Sequence, residues 1–136
     1  LLVNNYYKDI NENIISRDMD SAYFYNCIVY GDLNSGDEIK LDSSLNSSYA
    51  YNFKFHNSLL RTTFNTSFAE YQSVVVNQDP YFNIPSNDYR IKNPLAAPAV
   101  IDKGDPGTGI LYPYDLSGNP RNVNGNPDIG AYEYEP

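Results

Sequence analysis

Phe24-Tyr25-Asn26-Cys27-Ile28-Val29 recurs in kind as Phe55-His56-Asn57-Ser58-Leu59-Leu60, with the two asparagines 31 residues apart. Recurrence at this spacing fits a stacked architecture in which each turn contacts only its neighbours. Alternation within each copy puts Phe24, Ile28, Phe55 and Leu59 inward, and Tyr25, Cys27, His56 and Ser58 outward. Asn26 and Asn57 then occupy bends between strands, where Asn tolerates left-handed backbone angles. Their amides are expected to hydrogen-bond one another as a structural ladder. An earlier copy fits at residues 1–5 and a later one at 73–77, so residues 1–76 are expected to form three or four rungs with loop insertions.

Working outward, residues 31–48 are polar and turn-rich, a loop inserted in a rung with room for a brief strand at 38–41. Residues 4–20 are also polar, and the spacing of Tyr6, Ile10, Ile14 and Ile15 allows a short helix or a loop, the loop being the expectation. From residue 77 to 136 turn signals alternate with single apolar anchors. This stretch is expected to close the same domain by covering the open end of the last rung, which would otherwise present unpaired backbone groups.

Composition narrows the functional classes. Seventeen acids against nine bases give a net charge of −8 with no basic cluster, which disfavours a nucleic-acid partner. No apolar run approaches the roughly 18 residues that span a bilayer. Cys27 is the only cysteine, so an internal disulfide is excluded and a cysteine-based zinc site disfavoured. Fourteen tyrosines and no tryptophan make the chain polar yet aromatic, as in exposed β-rich modules, and argue against disorder. It opens at Leu1, which fits a processed or truncated product with any export signal upstream.

The tail, residues 115–134 (DLSGNPRNVNGNPDIGAYEY), is dense in chain reversals. Two Asn-Pro and two Gly-Asn pairs combine fixed φ with tolerance of positive φ. A final strand is expected after them, with Ile129, Ala131 and Glu133 on one side and Gly130, Tyr132 and Tyr134 on the other.

This tail, together with Ala97-Pro98-Ala99 and Val100-Ile101-Asp102-Lys103-Gly104, resembles the C-terminal region of bacterial right-handed parallel β-helix proteins of the choice-of-anchor Q type, within the pectate-lyase-like superfamily. The matching segments are Asp115-x-x-Gly118-Asn119-Pro120-Arg121 and Asp128-Ile129-Gly130-Ala131-Tyr132-Glu133. The resemblance implies an all-β, right-handed parallel β-helix (solenoid) fragment with a C-terminal cap, belonging to a secreted or surface-attached protein. It transfers no catalytic residue. If Leu1 begins partway through a rung, upstream rungs or a second chain are expected at the N-terminal face. Two functions follow from the resemblance. One is a non-catalytic structural or binding part, associated with a polysaccharide or surface protein. The other is the end of a polysaccharide lyase or glycoside hydrolase. Fold alone does not choose between them, but the chain lacks the Lys/Arg cluster with paired acids that would bind and deprotonate a polyuronate.

Tyr23, Tyr25 and His56 are the candidate ligand-binding residues. They share an outward face as a polar aromatic patch that can lie against a sugar ring, the alternative being surface packing beneath the loop at 31–48. His56, the only histidine, has the chemistry of a general base or metal ligand, but no acid or second histidine accompanies it locally, so catalysis is not expected. Asp102, Asp105, Asp115 and Asp128 lie in turns as hard-cation ligands would, which leaves calcium as the one cation to consider. Their spacing matches no calcium loop. The ordinary reading has these carboxylates accepting turn N–H bonds, with Arg121 neutralising one of them, Asp128, so that Asp102, Arg121 and Asp128 fix the cap.

Overall fold

A computed structural model describes residues 1–31, 36–83, 88–91, 99–123 and 125–135. The described chain is mostly strand, and its centre is two three-stranded parallel sheets. In the first, β4 (Met19–Tyr25), β7 (Tyr51–His56) and β9 (Tyr71–Gln72) lie side by side. In the second, β5 (Ile28–Val29), β8 (Leu59–Leu60) and β10 (Val75–Val76) do so. The repeat therefore pairs in register, Phe24 with Phe55 with Tyr71 and Ile28 with Leu59 with Val75. The third copy is Tyr71-Gln72-Ser73-Val74-Val75-Val76, with Ser73 in the asparagine slot. Asn26, Asn57 and Ser73 all hold positive φ, at 51°, 45° and 51°.

One face of the first sheet carries a file of rings. Phe24 and Phe55 stack with centroids 4.7 Å apart, and Phe55 and Tyr71 at 5.9 Å. Phe55 and Leu60 are fully buried beside Ile39, packed against Phe24, Val29 and Tyr71. Leu59 belongs to a different cluster, with Ile91, Val100 and Ile129, against which Ile28 and Val75 pack. The expected inward set is thus corrected: Ile28 and Leu59 do not join Phe24 and Phe55. A left-handed residue redirects the chain, so strand alternation cannot be counted across the bend. Ser58, expected outward, is fully buried at that bend. Its hydroxyl donates to the His56 carbonyl at 2.9 Å and accepts the Cys27 N–H at 3.2 Å.

Elsewhere, β1 (Leu2–Asn4) pairs in parallel with β6 (Lys40–Asp42), so the copy expected at 1–5 stacks on the 31–48 insertion instead of on the repeat. Residues 4–20 are not a loop throughout. They hold an antiparallel hairpin of β2 (Tyr6–Lys8) and β3 (Ile14–Ser16), and the start of β4. Asp9 closes the hairpin turn by accepting the Asn11 and Asn13 N–H groups. β11 (Phe82–Asn83) and β12 (Asp88–Ile91) form a further antiparallel pair.

The closing region lies along the strand stack rather than over one end, among the described residues. Val100 and Ile129 cover the outer side of β5, β8 and β10. The final strand at 129–134 does not form. Its main-chain groups bond to separate segments, Ile129 N–H to Val100, Gly130 N–H to Asn26 and the Ala131 carbonyl to Leu116. Gly130 also holds φ at 120°. A six-residue helix, α1 (Pro106–Leu111), was not expected. Asp105 caps it and Pro106 opens it, the standard N-terminal chemistry. Ala97 and Pro98, which begin the resemblance, lie outside the described residues. No helix among the described residues is long and apolar enough to cross a membrane.

Candidate functional site: a tyrosine-lined groove

Period-two geometry places Tyr23 and Tyr25 on the face of β4 opposite Phe24. Parallel register then sets His56 beside Tyr25 and Lys54 beside Tyr23. Tyr25 and His56 meet edge to face with ring centroids 5.1 Å apart. Among the described residues the neighbour that walls this patch is α1. Between them lies a groove of about 690 Å³, lined by Tyr23, Tyr25, Asp105, Thr108, Leu111 and Tyr112 among others. Tyr23 is 58 % exposed and Tyr112 68 %, so both rings are open to a ligand.

The wall is held by the two bend asparagines. Asn26 Oδ1 accepts the Asp105 N–H at 2.6 Å, and Asn57 Nδ2 donates to the Lys103 carbonyl at 2.6 Å. The expected ladder is corrected on this point. No hydrogen bond joins the two amides, because residues 103–105 run across successive bends and present backbone partners to both. Each asparagine keeps its left-handed bend and spends its side chain on this strap.

Asp105 connects strap, helix and patch. Its Oδ2 accepts the Thr108 N–H and hydroxyl, both at 2.8 Å. Its Oδ1 stands 3.9 Å from His56 Nδ1, a buried ring atom with no hydrogen-bond partner among the described residues. Burial would raise the Asp105 carboxyl, but the two Thr108 bonds and the neighbouring His56 outweigh it and hold the carboxyl below its ordinary range. Cys27 borders the groove, its thiol pushed up by burial and donating to the Tyr25 carbonyl at 3.2 Å. Beyond Cys27 a second recess of about 510 Å³ is walled by Ile28, Tyr30, Phe82, Tyr89 and Ile129, among others, with no charged residue among the described ones in its lining.

The cap residues form a separate network. Asp128 Oδ1 accepts the Asp102 N–H at 2.8 Å and Oδ2 the Tyr134 N–H at 2.6 Å. Arg121 does not pair with the Asp128 carboxylate. It pairs with Glu133 at 2.6 Å and donates to the Gly130 carbonyl at 3.1 Å. Each Asp128 oxygen accepts one main-chain donor, and Glu133 in turn accepts the Asp128 N–H at 3.2 Å while its Oε1 meets the guanidinium. Burial raises both the Asp128 and the Glu133 carboxyls, prevailing over the bonds and the Arg121 charge. Asp115 accepts the N–H groups of Ser117, Asn119 and Glu133.

Of the four acids considered for calcium, Asp102 and Asp128 lie side by side. Among the described residues no group of three or more His, Cys, Asp or Glu is arranged to hold a metal ion. Sequence patterning places Asp105 in a turn and does not single out Thr108 or Tyr112; the signal for this wall is the Asp105-Pro106 pair, an N-cap followed by proline.

No protein-family model, curated protein or solved structure matches this chain.

Proposed function

We propose that this chain is part of a right-handed parallel β-helix of the choice-of-anchor Q kind, with a non-catalytic binding and structural role on an extracytoplasmic bacterial protein. Two things support the fold: the in-register parallel pairing of three sequence copies in two sheets, and the tail residues that resemble that family. The ligand class is a saccharide, and the observation that carries it is the open groove in which Tyr23, Tyr25 and Tyr112 surround the polar groups of Asp105 and Thr108. Tyrosine offers a flat apolar face for the C–H side of a sugar ring, while carboxylate and hydroxyl groups bond its hydroxyls. A polysaccharide-cleaving role lacks comparable support. Asp105 is the one carboxylate among the described lining residues, whereas glycoside hydrolysis ordinarily uses a pair.

The reading is tested by screening the purified chain on a glycan array and titrating the binders by NMR. Tyr25→Ala and Tyr112→Ala should each weaken binding about three- to tenfold, while Tyr89→Ala, in the other recess, leaves it unchanged. Equal losses from all three, or binding indifferent to Tyr25 and Tyr112, would place the ligand elsewhere.

A further inference from the structure

We propose that the groove takes an uncharged sugar residue and rejects acidic ones, an inference that rests on the saccharide reading above. Among the described lining residues Asp105 is the ionised one, and neither Lys nor Arg accompanies it there. With Oδ2 engaged by Thr108, Oδ1 is the carboxylate oxygen left to accept a bond from a sugar hydroxyl. A uronate would bring its own carboxylate against this oxygen, and like charges in a partly desolvated groove repel strongly. The overall charge of −8 adds the same sign at longer range.

Three basic residues lie close by; Lys103, in the strap two positions before Asp105, does not line the groove. Lys54 sits opposite Tyr23 on β7 but does not line the groove. His56 faces Asp105 Oδ1 and would offset its charge only when protonated. The binding measurement is therefore repeated on His56→Gln, which removes that group.

The intact chain is titrated with neutral tetramers of glucose, mannose and N-acetylglucosamine, and with tetramers of galacturonate and mannuronate, following the tyrosine ring resonances. The best neutral tetramer should bind at least about tenfold more tightly than either acidic one. Asp105→Asn, which retains an N-cap side chain, should narrow that ratio to about threefold or less. An acidic tetramer that binds as tightly as the neutral ones, or a ratio unmoved by Asp105→Asn, overturns the selectivity and leaves the saccharide reading in place. Binding of no tetramer to folded protein overturns the saccharide reading itself, and the selectivity with it.

Discussion

Ser73 holds a φ of 51° at a bend where the other two copies use Asn26 and Asn57. A left-handed backbone costs an ordinary L-residue roughly 1–2 kcal/mol, and Asn bears it more easily because its short amide can bond locally. Ser73→Asn should therefore raise stability by about 0.5–1 kcal/mol, seen as a higher urea midpoint at unchanged slope. A midpoint that stays put or falls would mean that this bend carries no such strain. Arg121 gives the opposite kind of prediction. Its guanidinium and the Glu133 carboxylate are each about one-tenth exposed, so Arg121→Ala strands a buried charge and should cost about 3 kcal/mol. Adding Glu133→Gln should recover part of that loss. A double variant no more stable than the single one would show that the pair is not its source. The bends were legible in the sequence, since Asn before an apolar pair is local chemistry. The Arg121 partner was not, because both nearby acids accept main-chain N–H groups and only the folded backbone decides which of them faces the guanidinium.

At the scale of elements, the strap around residues 103–105 matters most, because it sets α1 against β4 and so forms the groove. Gly104 donates its N–H to the Pro127 carbonyl at 2.7 Å. A Cβ built there would lie 2.6 Å from that carbonyl oxygen. Since the obstacle is backbone, Gly104→Ala should cost about 2 kcal/mol and shift the Tyr25 and His56 ring resonances as the strap lifts. Wild-type stability with unmoved rings would show that the two backbones separate freely. The strands β4, β5, β7 and β8 were readable from their repeated residues. Helix α1 was obscured by Gly107 and Gly109, poor helix formers that read as turn residues until the Asp105 cap and the proline are weighed together.

For the whole molecule, acid stability follows from how the buried carboxylates are partnered. Hydrogen bonds hold the Asp115 and Asp37 carboxyls below the ordinary range, prevailing over burial at Asp115. Stability from such groups is complete above the unfolded value of about 3.9 and is lost as pH falls through the lowered folded values. Asp128 and Glu133 are raised by burial. They act with the opposite sign, favouring the fold at low pH and losing that contribution as pH rises through their folded values. Asp115→Asn should consequently lower the melting temperature at pH 7 and flatten its decline below about pH 4. An acid limb as steep as wild type's would assign that decline to other carboxylates. The sequence by itself determined the repeat, its left-handed bends, the strands β4, β5, β7 and β8 and the tyrosines on one strand face, because each depends on neighbours along the chain. Tertiary structure alone decided that Leu59 and Leu60 bury into different clusters, that the closing region flanks the stack, and that Asp105 meets His56 beside Tyr25. Those outcomes depend on which distant backbone arrives to take up each hydrogen bond and cover each apolar face, and no local pattern encodes that arrival.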